Sequence, residues 1–132
     1  MAQASKNHCL DIGPKGLMTH EGSSETNNRA KHRLRKCGQL IGHYGENLSF
    51  GCASPTEVLC WLIIDDGSKS KSHRNNVFSE QWNFMGCYSG NHKDFMSMSC
   101  IDYAEGYIDK GEKDPLEEQI DDLMKEEVVF KN

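Results

Sequence analysis

QWNFMGCYSGNHKDFMSMSCIDYA, residues 81–104, decides the fold of this chain. Two apolar-rich runs, QWNFMGCYSG and DFMSMSCIDYA, flank the turn-forming stretch SGNHKD. Such runs on either side of Gly, Asn and Asp read as an antiparallel hairpin. With the turn centred between Lys93 and Asp94, Cys87 and Cys100 are equidistant from it and face each other across the strands. Cysteines so placed can reach the ~5.5–6 Å Cα separation that a disulfide prefers. The competing reading is two buried free thiols.

Upstream, SPTE at 54–57 is a helix start. Ser54 caps, Pro55 suits the first helical position, and Glu57 completes a capping box. The helix runs from Val58 to about Asp65, and Gly67 ends it. Apolar residues fill nearly every position from 58 to 64, which predicts burial on most faces. A buried strand is the rival, since the run is rich in isoleucine, and the capping box decides for helix.

IGHYGENLSFG (41–51) reads as an extended segment with bends, and residues 27–36 as a helix stopping at Gly38. The basic run RAKHRLRK (29–36) is expected to be that helix's solvated face. Residues 1–10 read as a weak helical end, DIGPKGL (11–17) as a turn, and 19–28 as polar loop. Near the C-terminus, DPLEEQIDDLMKEEVVF (114–130) places Leu116, Ile120, Leu123 and Met124 on one face of a short acidic helix. It could dock, bind a partner or fray. Helices around a hairpin-built sheet make an α+β fold.

A chain of 132 residues supports one domain with a modest core. Its 36% apolar content and mean hydropathy of −0.70 are polar for a globular domain. The charge is uneven: residues 1–104 carry 11 basic and 10 acidic side chains, residues 105–132 carry 4 and 10. A near-neutral body with an acidic tail has no nucleic-acid footprint. No apolar run approaches the ~20 residues of a membrane span.

Six cysteines (9, 37, 52, 60, 87 and 100) in a small loop-rich chain suggest disulfides and an oxidising compartment. MAQASKNHCLDIG has no apolar core and does not read as a signal peptide. The expectation is therefore an extracellular protein lacking its natural N-terminus, or a cytoplasmic one with free thiols if the chain is complete.

The candidate ligands and acid–base groups are His20, Glu46, Asp65, Asp66 and His73. They make no short H-E-x-x-H motif, so a site would be assembled from distant segments. Each also has a purely structural reading: loop histidine, backbone-bonded carboxylate, helix-end polar residue. Two acids at a helix C-terminus oppose the helix dipole, which asks what holds them there. There is neither a G-x-S-x-G elbow nor a phosphate-binding glycine loop.

Taken in order, GPKGLMTHEGS, YGENLSFG, the tryptophan helix ending IDDG, SHRNNVF, and MGCYSG…SMSCIDYA resemble the CAP superfamily. This is the group of cysteine-rich secretory proteins, antigen 5 and plant pathogenesis-related proteins of group 1, and the form here is most similar to its protist and bacterial branches. The resemblance covers about residues 5–106. It implies a CAP/SCP-like domain over 1–106, incomplete at its N-terminus, and an acidic tail over 107–132. The implied fold is a three-layer α–β–α sandwich lacking its first helix. The implied site is a cleft in which His20, Glu46, Asp65 and His73 hold Zn²⁺ or another divalent cation. Asp66 is the alternative acid, and Arg74 and Asn75 stand behind the ligands. Two imidazoles and two carboxylates suit such an ion. Ser72 stands where the family commonly has glycine, and the helix acid is Asp rather than Glu.

Three functions compete. The first is a secreted, non-enzymatic module binding a small apolar ligand, such as a lipid or sterol, or a protein partner. The second is a metal-dependent hydrolase in which the ion activates water and the spare carboxylate is the base. The third is a degenerate intracellular remnant. None involves nucleic acid or a membrane span, and the sequence leaves the oligomeric state open.

Overall fold

A computed structural model of the chain describes residues 1–24 and 29–111. The centre is a long strand, β3 (Met96–Asp109), with β1 (Gly38–Phe50) antiparallel on one side and β2 (Phe84–His92) antiparallel on the other. The helices are α1 (Ala2–Ile12), α2 (Ala30–Cys37), α3 (Pro55–Ile64) and α4 (Ser72–Phe78). The mixed α+β class expected from the sequence is what forms.

β3 is central because its side chains find cover both ways. Strand alternation sends Met98, Cys100 and Ala104 into clusters with Ala4, Cys9 and Ile12 of α1 and Leu34 of α2. Ile101 and Tyr103 instead pack on Val58 and Leu62 of α3, with Val77 and Trp82 alongside. β1 pairs with β3 along its length except at a register shift between Ile41 and Tyr44, where Gly42 takes φ +70°. A bulge of this kind suits glycine.

Four expectations need correction. The hairpin turn is one residue off: His92 pairs with Met96 around the loop 93–95, so Cys87 faces Ile101 and Tyr88 faces Cys100. A one-residue slip turns a side chain to the other face of the sheet. Cys87 is accordingly exposed, Cys100 is buried, and the expected disulfide does not form; all six cysteines are free. Buried His92 holds this register. Its Nδ1 accepts from the backbone N–H of Asp94 and Phe95 (3.2 and 3.3 Å), and its Nε2 donates to the Leu17 carbonyl (3.2 Å).

α3 is not buried on most faces. Only Val58 and Leu62, one turn apart, are buried, while Leu59, Trp61 and Ile64 are exposed. The body lies on one side of the helix, and apolar composition alone does not supply a second neighbour. The start signal does hold: Ser54 Oγ accepts from Glu57 N, and Glu57 Oε2 accepts from Ala53 N.

α2 spans Ala30–Cys37, and Gly38 is already extended, so the chain passes straight from helix to strand without a left-handed cap. The basic run is also not wholly solvated. Arg33 is buried on the stripe that Ala30 and Leu34 share. The acidic helix expected at 114–130 lies outside the described residues, as do residues 25–28 of the polar loop.

Candidate functional site

The opposed acids at the end of α3 are explained by the next helix. Asp65 takes a left-handed conformation (φ 46°, ψ 43°) that turns its side chain back under α4. Its Oδ2 accepts from the backbone N–H of His73 and Arg74 (3.0 and 3.2 Å), two donors that an α-helix N-terminus leaves open. Its Oδ1 accepts from His73 Nδ1 (2.8 Å). In exchange, Arg74 of α4 donates to the carbonyls of Ile63 and Ile64 at the end of α3. The two helices cap each other. Asp65 is the buried member of the acid pair, whereas Asp66 is exposed and accepts from its neighbour Gly67 N. Burial acts to raise the Asp65 carboxyl pKa, but the bonds from His73 and Arg74 outweigh it and hold the group below the usual carboxylate range. The SHRNNVF stretch, expected as a loop, is helix α4, and Asn75 Nδ2 donates from it to the Ser70 carbonyl of the preceding loop (3.1 Å).

The other two candidates form a second pair. The Glu46 side chain on β1 is buried and accepts from His20 Nδ1 through Oε1 (2.7 Å). Its Oε2 accepts from Arg33, whose Nη1 also donates to the His20 carbonyl (3.1 Å). Burial pushes the Glu46 pKa up, but the His20 bond and the Arg33 charge more than offset it, and the pKa is lowered. The same bond raises His20. Gly45 lets this part of β1 close on α4, since a Cβ there would stand 3.1 Å from Asn76 Oδ1 and 3.2 Å from the Trp82 ring.

The four expected ligands therefore fall into two His–carboxylate pairs rather than one shell. Alternation along β1 sends Glu46 toward α1 and α2. Its neighbour Asn47, fully buried, goes toward α4, where it bonds the His73 carbonyl (3.0 Å) and Asn76 (2.9 Å). The pairs open on different grooves. His20 and Glu46 line one of about 430 Å³ with Glu21, Arg29 and Tyr44. Asp65 and His73 stand in one of about 440 Å³ with Met18, Phe50, Trp61, Leu62 and Phe95.

The carboxylates are already engaged, and the Arg33 guanidinium takes the place beside Glu46 that a cation would need. The donor set that remains is imidazole. Each ring is held through Nδ1–H by a carboxylate, which in the neutral form leaves Nε2 as the lone-pair nitrogen, the arrangement seen behind many metal-bound histidines. His20 and His73 are each oriented by a carboxylate, but they stand in different grooves and do not come together as ligands of one ion.

Sequence reasoning missed a buried polar group under the sheet. Asp102 lies opposite Glu46 in the β1–β3 register and takes a hydrogen bond from Ser5 Oγ (2.6 Å). Among the described residues, the group of three ligand-type side chains with donor atoms within 4.8 Å of one another is Glu46, Cys100 and Asp102. Among the described residues, Asp102 Oδ1 and His8 Nδ1 are buried without hydrogen-bond partners. Burial and the Glu46 charge push the Asp102 pKa up, to about 7. The signal was present: Asp102 falls in the inward series Met98, Cys100, Asp102, Ala104.

No described helix is long and apolar enough to cross a membrane. No protein-family model matches the sequence, and no curated protein matches it. The fold has a counterpart. The chain is similar to an outer surface protein from Borrelia burgdorferi, with a TM-score of 0.61 over 81% of this chain and 71% of that one. At 17% identity the likeness is one of fold alone.

Proposed function

We propose that this chain is a non-enzymatic binding module of CAP type, which takes a small ligand with an apolar body in the groove between α3 and the sheet. The observation that carries the reading is the groove itself. Trp61 and Leu62 form one wall, Met18, Phe50 and Phe95 the other, and the Asp65–His73 pair stands in it as the polar anchor. At about 440 Å³ it lies within the ~300–1,000 Å³ usual for small-molecule sites, which combine apolar walls with a few placed polar groups. Helices on both faces of β3 support the α–β–α layering that the CAP resemblance implies. That resemblance, together with the name of the structural neighbour, supports a place outside the cell.

The test is displacement of a fluorescent fatty acid and a fluorescent sterol from the folded protein. Saturable binding of either is expected, weakened at least ~10-fold in Met18→Glu and Phe95→Glu. Both side chains are exposed, so the fold tolerates the change. Absence of saturable binding to a folded protein overturns the reading. The hydrolase alternative is tested on the same preparation with ester and peptide substrates, with and without chelator.

A second reading has its own observation. All six cysteines are unpaired, as expected of a protein kept in a reducing compartment. Six alkylatable thiols in material purified without reductant would favour an intracellular form, and bridged cysteines would remove it.

A further inference from the structure

Cys9 and Cys100 meet in the core. Cys9 lies on the buried face of α1, and both cysteines belong to one apolar cluster with Ile12, Leu48 and Met98. The helix comes close here because β2 offers a glycine: a Cβ at Gly90 would stand 3.6 Å from Cys9 Cβ. The Cys9 thiol donates to the Tyr88 carbonyl (3.6 Å), and Tyr88 is the residue paired with Cys100 across the sheet. The Cys100 backbone N–H in turn reaches the Cys9 sulfur. Cys9 therefore sits over the Tyr88–Cys100 rung, on the side of β3 to which Cys100 projects. The same one-residue slip that turns Cys87 outward leaves Cys100 facing α1.

We propose that Cys9 and Cys100 are a disulfide site joining α1 to β3, and that its state is set while the chain folds. The chemistry is two thiol–disulfide exchanges with a small-molecule disulfide such as oxidised glutathione. A thiolate of the folding chain attacks that disulfide, forms a mixed disulfide and releases one thiol. The second cysteine's thiolate attacks the protein sulfur of the mixed disulfide and releases the other. The two cysteines give up two protons and two electrons, and the oxidant leaves as two thiols. In the reduced fold Cys100 Sγ is turned to Glu46 Oε2 (3.4 Å) and Asp102 Oδ2 (3.8 Å), so the bond forms with Cys100 turned from these oxygens toward Cys9. The finished fold opposes the first exchange. Burial raises the Cys9 thiol to about 11, against the bond from the Cys100 N–H. Burial, with the Asp102 and Glu46 charges, pushes the Cys100 thiol up as well. The thiolate is the nucleophile, and thiols packed in this way are inert. A chain that folds reduced then stays reduced, and one that folds with oxidant keeps the bridge.

The experiment is refolding of the denatured, reduced full chain in two buffers, one holding reduced and oxidised glutathione and one holding reductant alone. Each product is alkylated, digested without reduction and read by peptide mass spectrometry. The expected result in the glutathione buffer is a Cys9–Cys100 link as the main bridged species. It should persist in Cys87→Ser, a change at an exposed position. The bridged protein should melt at least ~5 °C above the reduced one, because a cross-link constrains the unfolded chain. Protein folded in reductant and then moved to the glutathione buffer should form the link at least ~10-fold more slowly than the refolding chain. A main link between any other two cysteines overturns the proposal. So do six free thiols after refolding with oxidant, or equal rates of bridging in the folded and the refolding chain.

Discussion

The two helix pairs of this protein invert the usual relation between composition and burial. α2 comes from the most basic run in the chain, yet its Arg33 is buried. α3 comes from the most apolar run, yet Leu59, Trp61 and Ile64 stand in solvent. The difference lies in the neighbours. α2 and α1 close over a part of β1 and β3 that carries Glu46 and Asp102, and a buried carboxylate recruits a cation to its side. α3 meets the body along one line of residues and leaves the rest of its surface free, which is the property a ligand groove needs.

The sharpest way to break this contrast is Arg33→Ala. It leaves Glu46 buried without its cation, and removing one partner of such a pair costs about 3–5 kcal/mol. A drop of that size in urea-denaturation stability is expected. Trp61→Ser on exposed α3 should stay within about 0.5 kcal/mol of the wild type. If the two substitutions cost the same, the contrast is wrong.

Next in size is the pH response of the inner face. The Asp102 pKa is raised on folding, so its contribution to stability is fully present below the unfolded value and is lost as pH rises through the folded one, about 7. Denaturation midpoints of the wild type should therefore fall between pH 4 and pH 7 relative to those of Asp102→Asn, which cannot ionise. Parallel pH profiles would show that Asp102 is no different folded and unfolded.

On the outer face, Asp65→Ala should cost about 1–2 kcal/mol through the lost cap of α4, whereas Asp66→Ala should cost about 0.5 or less. The Asp65 pKa is lowered, so its contribution holds above the unfolded carboxylate value and is lost as pH falls below it. Equal losses from the two aspartates would mean that the mutual capping of α3 and α4 is not what holds this corner.

The smallest expected effect is in thiol accessibility. Cys87 should react with an alkylating reagent in the native protein, and Cys100 only on unfolding, because its thiol is buried and its pKa raised by burial and the neighbouring Asp102. Equal native reactivity would restore the register in which the two cysteines face each other.

Much of this was legible in the residues. Local signals with their own chemistry hold: the capping box at Ser54–Glu57, the existence of the hairpin, the extended run through GENL. His20, Glu46, Asp65 and His73 engage as two separate His–carboxylate pairs, whereas the CAP resemblance implied one shared cleft. Arg33 and Asp102 were readable only in outline, one on an apolar helix stripe and one in an inward strand series, because a charge at such a position looks like a misfit until its partner is known.

By itself, then, the sequence determines where α3 begins and that a hairpin lies at its C-terminal side, because those follow from a capping box and turn residues; α4 (Ser72–Phe78), which has no side-chain cap of its own, read as loop. The tertiary structure decides what those positions meet. His92 sets the hairpin register by bonding the loop and a distant carbonyl, so the cysteine pairing was never local information. The same holds for α3, since a helix is buried by what packs on it. It holds too for the four candidate ligands, whose division into two grooves follows from the opposite directions in which adjacent residues of β1 project.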